Sequence, residues 1–378
     1  MLPRRKKKKK DLSGLMKMTI TKGPKEWTTP DKTKYNLDWA DLSIVDLGIF
    51  EKPGGKEKLA EDLKTAVSND GFWAVVGGDI TKSDMDKAFL FGQYFFENYT
   101  DEEKKRLEVD FSNGNYFGYK VKGNKNIFGT DVVDNVETLN IAKFTQDNRY
   151  QEYLKHKFVQ VYRNELEAIS RKSFEVVKKL LILFAIILEL DENYFLDRHK
   201  YDDPSDDHLR FMKYHPRTEE DDAKIENIWA RAHTDFGSLT LLFNQVVSGL
   251  QIKVSDGQWK YIPPVDGGII CNIGDTLSFW SGGYFKSTVH RVVRPPPDQL
   301  NAPRIGAFYF VRPGEFSKVE IAPSPLLKRE GLWRKVEPVI GTDYVRARVK
   351  NYHDTKEYLK QNDVNFKIGH FEIRDGYD

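Results

Sequence analysis

His233-Thr234-Asp235 places an imidazole and a carboxylate two residues apart at the end of a β-prone run, and on a strand residues i and i+2 point to the same side. Together they make a two-ligand pincer for a metal ion. A third ligand comes from His290, 55 residues after Asp235, set among the β-branched residues of Ser287-Thr288-Val289-His290-Arg291-Val292. Two imidazoles and one carboxylate on one face form a facial triad suited to divalent iron, with the remaining coordination positions open to substrate and dioxygen. His-x-Asp alone is frequent by chance, and a lone strand histidine is more often a hydrogen-bonded core residue, so the surrounding sequence has to carry the assignment. Other histidines lack such a setting: His156 and His353 lie in polar helical stretches, His199 and His370 near charged loops, and all four read as surface residues.

The elements that must position the triad are short strands. From residue 208 to 313, β-rich runs separated by turn signals fall at 209–215, 228–234, 239–243, 250–254, 259–262, 268–272, 276–280, 288–294 and 304–311, with Ser255-Asp256-Gly257 as a hairpin turn. Strands so closely spaced predict a sandwich or barrel of the jelly-roll kind. Upstream the chain alternates: a strand at 42–47, a helix at 56–68, a strand at 71–76, and a helix at 82–98 striped by Met85, Phe89 and Phe96. Residues 110–126, rich in Gly, Asn and Tyr, read as a long ordered loop. Helices are expected at 149–169, 173–190 and 344–361.

The composition supports a globular chain. Of 378 residues 39% are hydrophobic and 13% aromatic, enough apolar surface to offset chain entropy. One cysteine, Cys271, excludes an internal disulfide and a Cys-rich zinc site and points to a reducing compartment. The first 17 residues hold eight basic side chains against Asp11, a charge of +7, so the remainder carries −5 of the net +2. An acidic body argues against a broad phosphate-binding face, and no nucleic-acid partner is expected. The basic run reads as a solvated arm or a nuclear address. The longest apolar stretch, residues 180–188, is far short of the roughly 20 needed to cross a bilayer. No secretory signal opens the chain, so no membrane insertion is expected and the cytoplasm is the expected location, with the nucleus open through the basic run.

The segment Arg231-Ala232-His233-Thr234-Asp235-Phe236-Gly237-Ser238-Leu239, with Tyr284-Phe285-Lys286-Ser287-Thr288-Val289-His290-Arg291-Val292, closely resembles the Fe(II)/2-oxoglutarate-dependent dioxygenase superfamily in its isopenicillin N synthase-like branch. Asn272-Ile273-Gly274-Asp275, Gly249-Leu250-Gln251 and Gly71-Phe72-Trp73-Ala74-Val75-Val76 match further family motifs, with Gly77-Gly78 where Asn-His-Gly is usual. The resemblance implies a mainly β fold with flanking helices: a double-stranded β-helix (jelly roll) core over 205–315 and an N-terminal α/β and helical extension over 40–195; the charge run adds a basic, disordered arm over 1–35, and the helical pattern near the end a C-terminal helical segment over 316–378. It implies that His233, Asp235 and His290 hold Fe(II), and that Arg304, 14 residues after His290, grips the distal carboxylate of 2-oxoglutarate with Tyr214 donating a hydrogen bond. Gly306 stands where plant members have serine and Met212 where they have asparagine. Both departures fall in the cosubstrate subsite, where a missing hydrogen bond to a charged group costs ~1.5–3 kcal/mol unless water or another group replaces it. Tyr116 and Tyr119 resemble a loop near the family's substrate pocket, and Phe236 directly follows the His-x-Asp motif; all three are candidate substrate contacts. Tyr344, Arg346 and Arg348 lie on a helix that covers the pocket in relatives.

The chemistry so implied is O2-dependent oxidation of a small organic molecule, with hydroxylation as the default outcome and release of succinate and CO2. An oxidase of the isopenicillin N synthase type, without 2-oxoglutarate, is the alternative that Gly306 and Met212 keep open. A non-catalytic jelly-roll binding protein is a third reading, against which the intact triad speaks. Nothing in the sequence specifies the substrate or an oligomeric state.

Overall fold

The computed structural model describes residues 24–146, 155–353, 357–358, 361–369 and 371–376. The strands of its two main sheets are β1 (Ile44–Asp46), β2 (Phe72–Val76), β3 (Gly118–Lys120), β4 (Val136–Ala142), β5 (His208–Tyr214), β6 (Ile228–His233), β7 (Leu239–Phe243), β8 (Leu250–Lys253), β9 (Trp259–Tyr261), β10 (Ile269–Ile273), β11 (His290–Val293) and β12 (Arg304–Val311). Eight of them form one sheet in the order β1-β2-β10-β7-β12-β5-β4-β3, and four form a second in the order β9-β8-β11-β6. The two sheets make the jelly roll that the strand spacing anticipates.

Side-chain alternation divides the large sheet into two worlds. Trp73, Leu139, Phe211, Leu241, Cys271, Ile305 and Tyr309, all odd-numbered, face the helices α1 (Gly55–Asn69), α2 (Lys82–Asn98) and α3 (Arg163–Ile187) in the main core. Even-numbered residues face the small sheet, where Phe72, Ala74, Leu242, Ile252 and Ile270 form one apolar cluster and Val136, Tyr214, Trp229 and Val292 another. Each fully buried large apolar side chain contributes about 1.5–3 kcal/mol, so the helical face sets the register and the even face is free to carry polar groups. Helix α2 starts where its sequence says it should, because Thr81 and Asp84 close a reciprocal capping box.

Several local expectations are corrected. The break foreseen near residue 170 is absent: α3 runs through it, with the Ser173 hydroxyl bonding back to the Ile169 carbonyl and Ser170 meeting the Tyr201 hydroxyl. Residues 276–280 are not a strand but part of a short helix, α4 (Asp275–Trp280), whose Leu277 and Trp280 are buried one turn apart. The last helix, α5 (Gly341–His353), ends earlier than foreseen, and strands Gln361–Ile368 and Phe371–Gly376 pair antiparallel beyond it. Of the arm expected over 1–35, residues 1–23 lie outside the described residues; residues 24–35 run along the body, where Trp27 stacks on Phe89 at 5.2 Å and Lys34 N–H donates to Asp298.

The misread α4 is what holds the loop after β6. The N–H groups of Gly274, Asp275 and Thr276 donate to the carbonyls of Ser238 (2.9 Å), Asp235 (2.8 Å) and Gly237 (3.0 Å). This close approach requires glycine: a Cβ on Gly274 would sit 2.2 Å from the Gly237 carbonyl oxygen. We expect Gly274→Ala to destabilise the fold by about 1–3 kcal/mol, the cost of overpacking a rigid contact, measured by urea denaturation; an unchanged midpoint would mean that the loop is not clamped.

Candidate active site

β6 ends where β11 begins. His233 and His290 are direct partners in the antiparallel ladder, their rings 4.4 Å apart between centroids. His233 Nδ1 donates to the Arg231 carbonyl (2.9 Å) and His290 Nδ1 to the Thr288 carbonyl (3.0 Å). Carbonyls only accept, so each Nδ1 carries a proton, which reserves Nε2 as the nitrogen able to offer a lone pair. Asp235 follows two residues after β6. Its Oδ2 accepts from Thr240 Oγ1 (2.6 Å) and Asn272 Nδ2 (2.8 Å), while Oδ1 lies 3.9 Å from His290 Nε2. One ligand atom from each of the three residues lies within 4.8 Å of the others.

Burial drives the His233 pKa down to about 3, with neighbouring His290 adding to the effect, so the ring is neutral at physiological pH and no proton must leave before a cation binds. Burial pushes the Asp235 carboxyl up, but His290 and His233, with the hydrogen bonds from Asn272 and Thr240, hold it down to about 2. A carboxylate and a neutral imidazole beside a second imidazole, all oriented by outer hydrogen bonds, are a donor set that fits Fe(II).

A cavity of about 210 Å³ adjoins this cluster between the two sheets. Arg304 opens β12 at its wall, directly across the ladder from Tyr214 on β5. Its Nε donates to the Ser248 carbonyl (3.3 Å) and its guanidinium lies 4.4 Å from the Tyr214 ring centroid. Among the described residues no carboxylate comes within ion-pair distance of it. Burial lowers the Arg304 pKa and raises that of Tyr214, which keeps its phenol protonated and able to donate. A buried guanidinium without a counter-ion is costly and marks a place for an anion.

The two departures from family pattern are one packing event. Gly306 and Met212 face each other across β12 and β5. A Cβ on Gly306 would come 2.5 Å from the Phe308 ring, so that ring already fills the space a serine would need. An aromatic edge and a thioether form this wall of the cavity.

The other candidates divide. Tyr116 and Phe236 line the cavity; Tyr119 does not, because its hydroxyl is committed to Glu137 at 2.7 Å in a buried group with Lys104. Helix α5 covers the cavity through Val349, Tyr352 and His353, with Tyr352 5.7 Å from Phe236, while Tyr344 donates to Asp275 and Arg346 pairs with Asp206. His353 is therefore a lining residue, and His156 and His199 are buried, the latter between the Phe195 carbonyl and Ser238; His370 lies outside the described residues. Three lining arginines went unassigned in the sequence: Arg231, which lies on the Tyr352 ring and donates to the Tyr352 carbonyl, and Arg210 and Arg312, which bear on the cavity's charge. The signal for the latter two was present: Arg210 shares a strand face with Tyr214, and Arg312 continues the even-numbered row that begins at Arg304.

Comparison with known proteins agrees with this arrangement. Residues 205–313 match the 2OG-Fe(II) oxygenase superfamily model, and residues 42–160 match the model described as non-haem dioxygenase in morphine synthesis N-terminal. The 2-oxoglutarate-dependent dioxygenase frbH of Dothideomycetidae sp. is 31% identical over 229 residues, 59% of this chain and 66% of that one. Scopoletin 8-hydroxylase of Arabidopsis thaliana is 28% identical over 322 residues, 83% of this chain and 82% of that one. A full-length Neurospora crassa protein, crystallised in complex with alpha-KG and thymine, shares the fold with a TM-score of 0.70 at 23% identity, over 84% of this chain and 100% of that one. With its N-terminal match consistent with the isopenicillin N synthase-like branch, the chain belongs to the Fe(II)/2-oxoglutarate-dependent oxygenase superfamily.

Proposed function

We propose that His233, Asp235 and His290 hold the Fe(II) of this oxidoreductase, that Arg304 with Tyr214 anchors the distal carboxylate of 2-oxoglutarate, and that the enzyme hydroxylates a small organic molecule. When bound, the metal and the 2-oxo acid supply O2 activation, with succinate and CO2 as products. The protein orients and excludes. Thr240 and Asn272 occupy one oxygen of Asp235, which leaves the other for the metal. Arg304 supplies a charge-assisted fork for a carboxylate. Phe308, Met212 and Trp229 keep water from the surroundings of the cosubstrate site.

The observation that carries this reading is the buried Arg304 guanidinium, without an acidic partner, in the same cavity as the triad. It favours the 2-oxoglutarate reading over an oxidase that needs no second carboxylate. Cavity size favours a small substrate: about 210 Å³ is the volume of roughly 7 waters at about 30 Å³ each, somewhat more than a cavity that holds benzene. Scopoletin and thymine, in the relatives' names, are molecules of that scale. Among the described residues no helix is long and apolar enough to cross a membrane. The lone cysteine, Cys271, is buried and unpaired in a way that suits a reducing compartment, and on that ground we assign the enzyme to the cytoplasm.

His233→Ala should abolish stoichiometric Fe(II) binding in an anaerobic titration; retention of one tight equivalent would remove the triad assignment. Arg304→Ala should raise the 2-oxoglutarate concentration giving half-maximal succinate release by about 10- to 150-fold, the equivalent of one lost hydrogen bond to a charged group. An unchanged half-saturation would exclude Arg304 as the anchor, and turnover without 2-oxoglutarate would bring the oxidase reading forward.

A further inference from the structure

Arg210 stands half-buried in the wall of the cavity on β5, and Arg312, which is buried, follows the end of β12. Arg210 lies four residues from Tyr214 on the same face, about 13 Å along the strand from the cosubstrate end. Its Nε donates to Asn140 Oδ1 (2.7 Å), which orients the fork. Both guanidiniums approach the Phe310 ring, Arg210 at 4.3 Å and Arg312 at 5.2 Å from its centroid. No carboxylate pairs with either among the described residues. Asp235 is turned to Thr240, Asn272 and His290, Asp206 is bound in a fork by Arg346, and Asp207 accepts the backbone N–H of Arg312. Arg312 is 4% exposed, and its Nε and Nη1 have no hydrogen-bond partner; neither has Nε2 of His208, which stacks on Phe310. Burial, with Arg312 adding repulsion, pulls the Arg210 pKa down to about 10. Two like charges held together at the cavity wall, with no carboxylate in ion-pair contact, are relieved by a bound anion.

We infer that the molecule oxidised here is an organic acid whose carboxylate is held by Arg210, with Arg312 beside it, at the cavity region away from Arg304. The inference rests on the reading that Arg304 takes the cosubstrate. A planar carboxylate suits the edge of a guanidinium laid flat on an aromatic ring, and the bidentate pair fixes the rest of the molecule relative to the triad. Neutral ligands of the same shape leave both cations uncompensated.

The test is calorimetric titration of the anaerobic Fe(II)-loaded protein, saturated with 2-oxoglutarate, with benzoate, phenylacetate, 3-phenylpropanoate and hexanoate, each against its primary amide. At least one acid should bind tenfold or more tightly than its amide. Arg210→Gln should weaken that acid by about 10- to 100-fold, and Arg210→Lys, which keeps the charge without the fork, by less. Equal binding of acid and amide, binding unaffected in Arg210→Gln, or failure of every acid at millimolar concentration overturns the inference; the first and last of these need no variant. The visible charge-transfer band of bound 2-oxoglutarate, followed in the same samples, reports the cosubstrate site separately. Its loss with acid binding intact would defeat the Arg304 assignment and leave the Arg210 assignment standing; its retention with acid binding absent would do the reverse.

Discussion

The site depends on a register constraint. The large sheet packs one face against helices, with Phe211, Ile305, Tyr309 and Leu241 in that core, and antiparallel strands alternate their side chains strictly. A slip of one residue in β12 would turn Arg304 into the helical core and Ile305 into the cavity. The apolar burial that holds the fold together is therefore also what aims Arg304, Phe308 and Phe310, and across the ladder Arg210, Met212 and Tyr214, toward the triad. Stability and function use opposite faces of the same strands.

The second constraint is local. His233 and His290 share a rung at the mouth of the small sheet, but Asp235 lies beyond the strand and needs its own support. The N-terminus of α4 provides it, donating three successive N–H groups to the loop's carbonyls, while Asn272, the penultimate residue of the strand before α4, holds the carboxylate itself. One short stretch of chain, 272–276, thus fixes both the backbone and the side chain of the acidic ligand.

Much of this is legible in the sequence where periodicity is strong. The capped helix 82–98, the strand spacing from 208 onward and the His-x-Asp pair need no tertiary information. What escaped was decided by tertiary contact. Thr276, Phe279 and Trp280 have strand-like propensities, yet the segment is helical because its N–H groups find partners in the loop after β6. Tyr119 carries the same motif signal as Tyr116, but the buried Glu137 claims its hydroxyl. Gly306 reads as a missing hydrogen bond until Phe308 is seen in its space. Arg210 was visible on the right face of its strand, but its lack of an acidic neighbour is a fact of three dimensions.

The account stands on a metal held by the triad and a 2-oxo acid anchored by Arg304 on that metal. The most direct measurement is the visible spectrum of the anaerobic Fe(II)-loaded protein as 2-oxoglutarate is added. The account predicts a metal-to-ligand charge-transfer band that grows to saturation near one equivalent and weakens when Arg304 is replaced by alanine. Stoichiometric iron binding with no band at saturating 2-oxoglutarate would contradict it.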